Sequence, residues 1–185
     1  MRVPREIIHE EYIKAQLSDD FVFKKVMSNE EILQGFLERV VGKRINTLVE
    51  ITTNHELFEF IDSHKIICDI YARDDEGRIY IVESQNYTIK GFFNRLAYYS
   101  QITSVEAFKR KVHPNKANKY KSFPEVYCIW ICSKNPFKEY GIMNTTQVIL
   151  EPNITMYHQQ RQIILSRDCI EEIEDEGIQD FLRLV

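Results

Sequence analysis

CDIYARDDEGRIYIVESQ, residues 68–85, holds two short apolar runs joined by an acidic turn with one glycine. Asp69 lies inside the first run, and Glu83 and Gln85 lie inside the second. Strand interiors rarely carry ionised carboxylates without a partner. The turn decides which residues they face. A three-residue hairpin loop is usually a type I turn followed by a glycine in the left-handed region, and Asp75-Glu76-Gly77 fits, with Gly77 where positive φ is needed. Asp74 then pairs with Arg78, Arg73 with Ile79, Tyr71 with Ile81, and Asp69 with Glu83. Gln85, two residues beyond Glu83, shares its face.

Two carboxylates set directly across a sheet repel each other. A cation between them, or a proton on one of them, removes the conflict. Two carboxylates with waters and a phosphate oxygen suit Mg²⁺, a hard ion that keeps part of its hydration shell. A loop one residue longer or shorter would send the acids to opposite faces. The competing reading puts both acids at the sheet rim, in contact with solvent.

Outward from the hairpin, SNEEILQGFLERVVGKR (28–44) repeats apolar residues at helical period, and the spacing predicts a helix over 29–41. Ser28 and Glu31 have capping-box spacing, and Gly42 supplies a stop. SDDFVFKKVM (18–27) reads as a short helix capped by Ser18. Strands are predicted at 45–52, 65–73, 78–85 and 125–132, and a long helix at 91–111; the segment 55–63 is ambiguous. Two more strands and a terminal helix follow from 142 onward. Helix, three strands, helix, strand implies a mixed sheet with an antiparallel meander and a parallel return across the long helix.

The chain has 185 residues, which suits one domain over 1–185 with its core at about 18–140 and an extension over 141–185. No apolar run is long enough to span a bilayer, and MRVPREIIHEEYIK is too polar for a signal peptide, so a cytoplasmic location is expected, with no membrane partner. Cys68, Cys128, Cys132 and Cys169 lack zinc-ligand spacing and read as small core hydrophobes. No glycine-rich phosphate loop and no Ser/His/Asp motif is present. The net charge of −4 does not by itself suggest nucleic acid, but it is unevenly spread. Residues 168–180 carry seven acids and no base, whereas residues 107–124 carry six Lys/Arg and no acid.

Asp69, a hairpin, then Glu83-Ser84-Gln85 resembles the PD-(D/E)XK nuclease signature, and the element order is similar to the restriction-endonuclease-like αβββαβ core, an α/β fold with an α+β mixed sheet, here with flanking helices and extra C-terminal strands. More narrowly, the chain resembles the recombination-promoting nuclease / putative transposase family over about residues 18–140. The family's D-x-x-F-K stretch is matched by Asp20, Phe23 and Lys24. Its D-x-x-x-x-D-x-x-G-x-x-x-x-I/V-E-x-Q block is matched by Asp69, Asp74, Gly77, Val82, Glu83 and Gln85, and its R-x-x-x-Y helix by Arg95 and Tyr99.

The resemblance implies hydrolysis of DNA phosphodiesters with Mg²⁺, for which Mn²⁺ can substitute. Asp69 and Glu83 would hold the metal, and Gln85 would position water in place of the usual lysine. Glu38, on the first core helix, could add an acid or simply be a solvated charge. Arg95 and Tyr99 lie one helical turn apart; they could line the cleft and contact phosphate, or pack the helix on the sheet with Arg95 pairing a sheet carboxylate. Asp20 and Lys24 could form nothing more than a surface ion pair.

Two other readings stand beside the nuclease. One is a nuclease fold that binds DNA or protein with little or no hydrolysis, in which 168–180 docks a partner or mimics DNA. The other is an assembly role, with an exposed strand near 145–165 forming a homodimer. Lys109, Arg110, Lys111, Lys116, Lys119 and Lys121 form a candidate backbone-phosphate surface. Neutralising Lys116, Lys119 and Lys121 together is expected to weaken DNA binding and to flatten its salt dependence by up to about three log–log units, roughly 0.9 per lost contact; titration of a labelled duplex at several salt concentrations measures both.

Overall fold

A computed structural model describes residues 17, 19–57, 66–87, 90–111, 124–136, 142–145 and 160–185, with 110, 111 and 142–145 described by backbone alone. Two helices, α1 (Asp20–Met27) and α2 (Glu30–Val41), lead into β1 (Leu48–Leu57), β2 (Ile66–Asp74) and β3 (Ile79–Gln85). The long helix α3 (Phe92–Lys111) crosses to β4 (Val126–Cys132). Then come β5 (Ile142–Thr145), β6 (Gln160–Ser166), a 3₁₀ segment (Arg167–Glu172) and α4 (Glu176–Leu184). The strands form one mixed sheet in the order β1-β2-β3-β4-β6-β5. The first three make an antiparallel meander, β4 runs parallel to β3 and β6, and β5 returns antiparallel. The helix–three strands–helix–strand order expected from the sequence is present.

Helices cover both faces of the sheet. Phe23, Met27, Leu33 and Leu37 of α1 and α2, with Ile178 and Leu182 of α4, pack on Ile70, Ala72, Tyr80, Val82, Ile129 and Ile131. On the other face Phe92, Leu96 and Tyr99 of α3 pack on Cys68, Tyr71, Ile81, Cys128 and Trp130. All seven residues of β4 are buried, so the central strand reads as a continuous apolar run rather than an alternating one. The four cysteines are buried and free, as small core residues would be.

Several local expectations are corrected. The cap of α2 is Asn29, whose side chain accepts from the Ile32 N–H, not Ser28; Ser28 instead turns its hydroxyl to the Lys25 carbonyl at the end of α1. Asp19 occupies the N-cap position of α1, and Ser18 lies outside the described residues. Gly42 does end α2, with φ 68°. The ambiguous segment is strand up to Leu57, and 58–65 lie outside the described residues. Of the strand read as exposed near 145–165, residues 146–159 lie outside the described residues; Thr145 ends the edge strand β5, and β6 lies between β4 and β5. The acidic segment 168–180 and the helix that follows from it pack against the domain. Ile173 and Ile178 enter the core, Phe181 meets Phe36 at 4.6 Å, and Asp175 caps α4 while pairing with Arg39.

The β2–β3 hairpin has the register counted from its loop: Arg73 pairs with Ile79, Tyr71 with Ile81 and Ile70 with Val82. Gly77 has φ 81°. Beneath the turn, Asp74 is fully buried. Its carboxylate accepts from the Arg78 backbone N–H (2.8 Å), Arg78 Nε (2.6 Å) and the Tyr80 hydroxyl (2.8 Å). Removing one member of a buried pair strands the other charge at a cost of about 3–5 kcal/mol. Asp74→Ala is therefore expected to lower the melting temperature by roughly 10 °C, read by differential scanning calorimetry.

Candidate functional site

The sheet opens between β2 and β3. Their ladder runs from Arg73↔Ile79 to Ile70↔Val82 and goes no further. Past that point β2 stays with β1 as far as Leu57↔Ile66, while β3 stays with β4 as far as Gln85↔Cys132. Asp69 and Glu83 are the first residues beyond the last rung. They meet through their side chains: Glu83 Oε1 accepts from the Asp69 backbone N–H (3.0 Å), and Asp69 Oδ2 accepts from the Ser84 backbone N–H (3.0 Å). Each carboxylate thus takes a backbone donor of the opposite strand where the ladder has ended.

A backbone irregularity sits at the same level. Cys68 faces the α3 layer, but Ile70 and Ala72 face the other layer, so the alternation of β2 breaks at Asp69. The neighbouring strand breaks in step. Ile51 packs with the α1–α2 layer, whereas His55 stacks on Tyr71 in the α3 layer. Between them Asn54, across from Asp69, has φ 52°. Asparagine is among the few residues besides glycine that visit this region routinely. Sequence reasoning missed Asn54, because the strand predicted at 45–52 stops short of it, whereas β1 continues to Leu57.

Each carboxylate has one oxygen left for a cation. Asp69 Oδ1 lies 3.2 Å from Lys24 Nζ, which also meets Asp20 Oδ1 at 2.6 Å. Glu83 Oε2 lies 3.7 Å from Arg95. Arg95 is held by Gln85 Oε1 (3.0 Å) and the Tyr99 hydroxyl (3.0 Å), and lies 5.1 Å and 5.2 Å from the ring centroids of Tyr99 and Trp130. Gln85 Nε2 donates to the Tyr87 carbonyl (2.7 Å). The structure therefore brings Asp69, Glu83, Gln85, Arg95 and Tyr99 together and adds Lys24 from α1. The sequence offered the lysine as half of an i,i+4 pair and as part of the D-x-x-F-K stretch, and neither reading put it at the site. The fuller signal was its place beside Phe23, whose complete burial turns that part of α1 inward.

Other sequence candidates lie elsewhere. Glu38 accepts from the Ile45 backbone N–H (2.7 Å) and braces the turn after α2, and the structure does not bring it to the pair. Lys109 is exposed near the end of α3. Side chains of Arg110 and Lys111, and all of Lys116, Lys119 and Lys121, lie outside the described residues.

Electrostatics single out Glu83. Burial, and then the Asp69 carboxylate beside it, push its pKa up to about 8, against the lowering effects of the Asp69 N–H, Arg95 and Lys24. Burial also acts on Lys24, in the lowering direction, but its bonds to Asp20 and Asp69 and their charges outweigh it and hold the ammonium above its ordinary value. The donor set fits a hard divalent cation: two converging carboxylates whose mutual repulsion such an ion would relieve. Among the described residues no group of three or more His, Cys, Asp and Glu side chains could share an ion, so such a cation would complete its shell with water and substrate oxygens.

A carboxyl whose pKa is raised by folding binds its proton more tightly in the folded chain. Its contribution favours the folded state at low pH and is lost as pH rises from the ordinary 4.5 toward about 8. In chelator, Glu83→Gln is expected to gain melting temperature relative to the parent chain as pH is raised over that window, and the difference should level off above it. Melts across the window measure this, and a pH-independent difference would contradict the shift.

Comparison with known proteins adds one finding. The model of the PD-(D/E)XK nuclease family transposase matches residues 17–167, a span that contains all of the clustered side chains above. No curated protein and no solved structure matches the chain. With most of its length covered by that model, the chain belongs to the PD-(D/E)XK nuclease family transposases.

Proposed function

We propose that the chain is a divalent-metal-dependent DNA endonuclease, acting in recombination or mobile-element biology. The observation that carries this reading is the interlocked pair, Asp69 and Glu83, at the opening of the sheet. Backbone N–H groups hold Oδ2 and Oε1, and Asp69 and Glu83 would hold Mg²⁺ or Mn²⁺. Bound there, the ion supplies a Lewis acid that makes water a better nucleophile at neutral pH and offsets charge on the scissile phosphate.

The chain's own residues do the rest. Gln85 orients water through its amide, and Arg95, locked against Gln85, Tyr99 and Trp130, supplies positive charge that glutamine lacks. The flanking basic segment holds the DNA backbone without reading sequence.

One observation favours a second reading. Gln85 carries no charge, and its amide is engaged at both ends, by Tyr87 and by Arg95. That suits a domain that binds DNA and hydrolyses it weakly or not at all.

Supercoiled plasmid incubated with the protein and Mg²⁺ or Mn²⁺, beside chelator controls, separates the two. Metal-dependent nicking is expected, with Asp69→Ala and Glu83→Ala reduced by roughly a hundredfold or more, the scale on which a missing transition-state interaction is felt, while both variants remain folded by circular dichroism. Absence of nicking with either metal, in a folded protein that still binds the plasmid, would favour the binding module.

A further inference from the structure

The two cations at the pair are held in different ways. Arg95 is fixed by Gln85, Tyr99 and the faces of two rings, so its position is set whatever happens at Glu83. Among the described residues Lys24 is held by carboxylates: Asp69 at 3.2 Å and Asp20 at 2.6 Å. Its side chain is 16% exposed and Asp20 is 71% exposed, so the ammonium bridges from the sheet opening toward solvent. An aspartate four residues before a lysine on a helix is a favourable pair on its own, and Asp20 can therefore keep Lys24 when Asp69 is taken.

The oxygen that Lys24 occupies, Asp69 Oδ1, is the one that the Ser84 N–H leaves open. A lysine ammonium on a flexible stem is a mobile point charge, unlike a stacked guanidinium. We propose that Lys24 is the resident counter-ion of Asp69: a divalent ion entering the pair displaces it, and the released ammonium, still tethered by Asp20, binds a phosphate of the DNA. This rests on the nuclease reading and assigns Lys24 two opposed effects on it. The lysine weakens metal binding and strengthens DNA binding.

Removing the charge therefore separates this role from a purely structural one. Mn²⁺ uptake by the protein alone, followed by loss of the free-ion electron paramagnetic resonance signal, is to be compared among the parent chain, Lys24→Met, Lys24→Arg and Glu83→Ala. Lys24→Met is expected to bind Mn²⁺ roughly tenfold tighter or more, since a neighbouring positive charge no longer opposes the ion. Lys24→Arg keeps the charge and should stay close to the parent chain. With Mn²⁺ present, binding of a phosphorothioate duplex that resists hydrolysis should weaken in Lys24→Met, and the salt dependence should flatten by about one contact.

Unchanged or weaker Mn²⁺ affinity in Lys24→Met, while the parent chain binds the ion in a Glu83-dependent way, overturns the Lys24 inference and leaves the nuclease reading standing. Tighter Mn²⁺ binding without loss of DNA affinity overturns the phosphate half. If neither the parent chain nor Lys24→Met takes up Mn²⁺, both readings fall. Should Lys24→Met fail to fold by circular dichroism, Lys24→Gln takes its place in the same measurements.

Discussion

The Asp74 carboxylate is fully buried and accepts three hydrogen bonds, two from Arg78 and one from Tyr80. Those bonds hold the two strand ends that flank the loop, so they set which residue of β2 faces which residue of β3. Side chains alternate with period two along a strand, and a shift of one residue would exchange every face. Asp69 lies five residues from this clamp, and its meeting with Glu83 depends on the register surviving that distance. The hairpin thus carries a structural acid at one end, partnered by a buried arginine, and the candidate site at the other. Asp74 cannot move without stranding Arg78, which is also tied to Glu76 and the Arg44 carbonyl.

The opening of the sheet follows from a conflict that the register creates. A regular ladder would set two carboxylates side by side where Glu83 is buried and Asp69 is largely so, with little solvent to screen them. Instead the strands part after Ile70↔Val82, and each acid turns one oxygen to a backbone N–H of the other strand. Backbone donors stabilise a carboxylate without adding a mobile group, and they leave the second oxygen of each acid pointing to a cation. Asn54 accommodates the break on β1 by taking a left-handed conformation opposite Asp69. Neighbouring strands β1 and β4 continue to pair with β2 and β3, so the opening is local and rigidly framed.

Much of this was legible in the residues. Asp75-Glu76-Gly77 specified the loop because a glycine is needed where φ is positive, and the pairings Arg73↔Ile79 and Tyr71↔Ile81 follow from counting. Gly42 and the apolar period of α2 located that helix, while the cap was misplaced by one residue because Ser28 and Asn29 are both good caps and only three-dimensional geometry chooses between them. Lys24 and Asn54 were not legible as parts of the site. Lys24 reaches Asp69 across 45 residues of sequence, through the packing of Phe23 and Met27, which local spacing does not encode. Asn54 matters through its backbone angle, and an asparagine in a polar strand gives no sign of that. Glu38, read as a candidate acid from its helix, accepts from the Ile45 N–H, a bond that helical periodicity could not reveal.

Charge balance ties the pair to its neighbours. Lys24 is held above its ordinary pKa and stays cationic through the neutral range, while burial and Asp69 bring the Glu83 carboxyl up to about 8. Burial and the neighbouring Asp69 thus favour the neutral form of Glu83, while Asp69 keeps the Lys24 ammonium beside it. Under the proposed reading Asp69 and Glu83 would together hold a divalent ion. The single charge that a lysine in the usual E-x-K position would place beside the ion is divided here between a locked Arg95 and a movable Lys24. Gln85 then need not be charged: its amide anchors Arg95 next to Glu83, and the residue in the lysine's place holds the cation instead of being it.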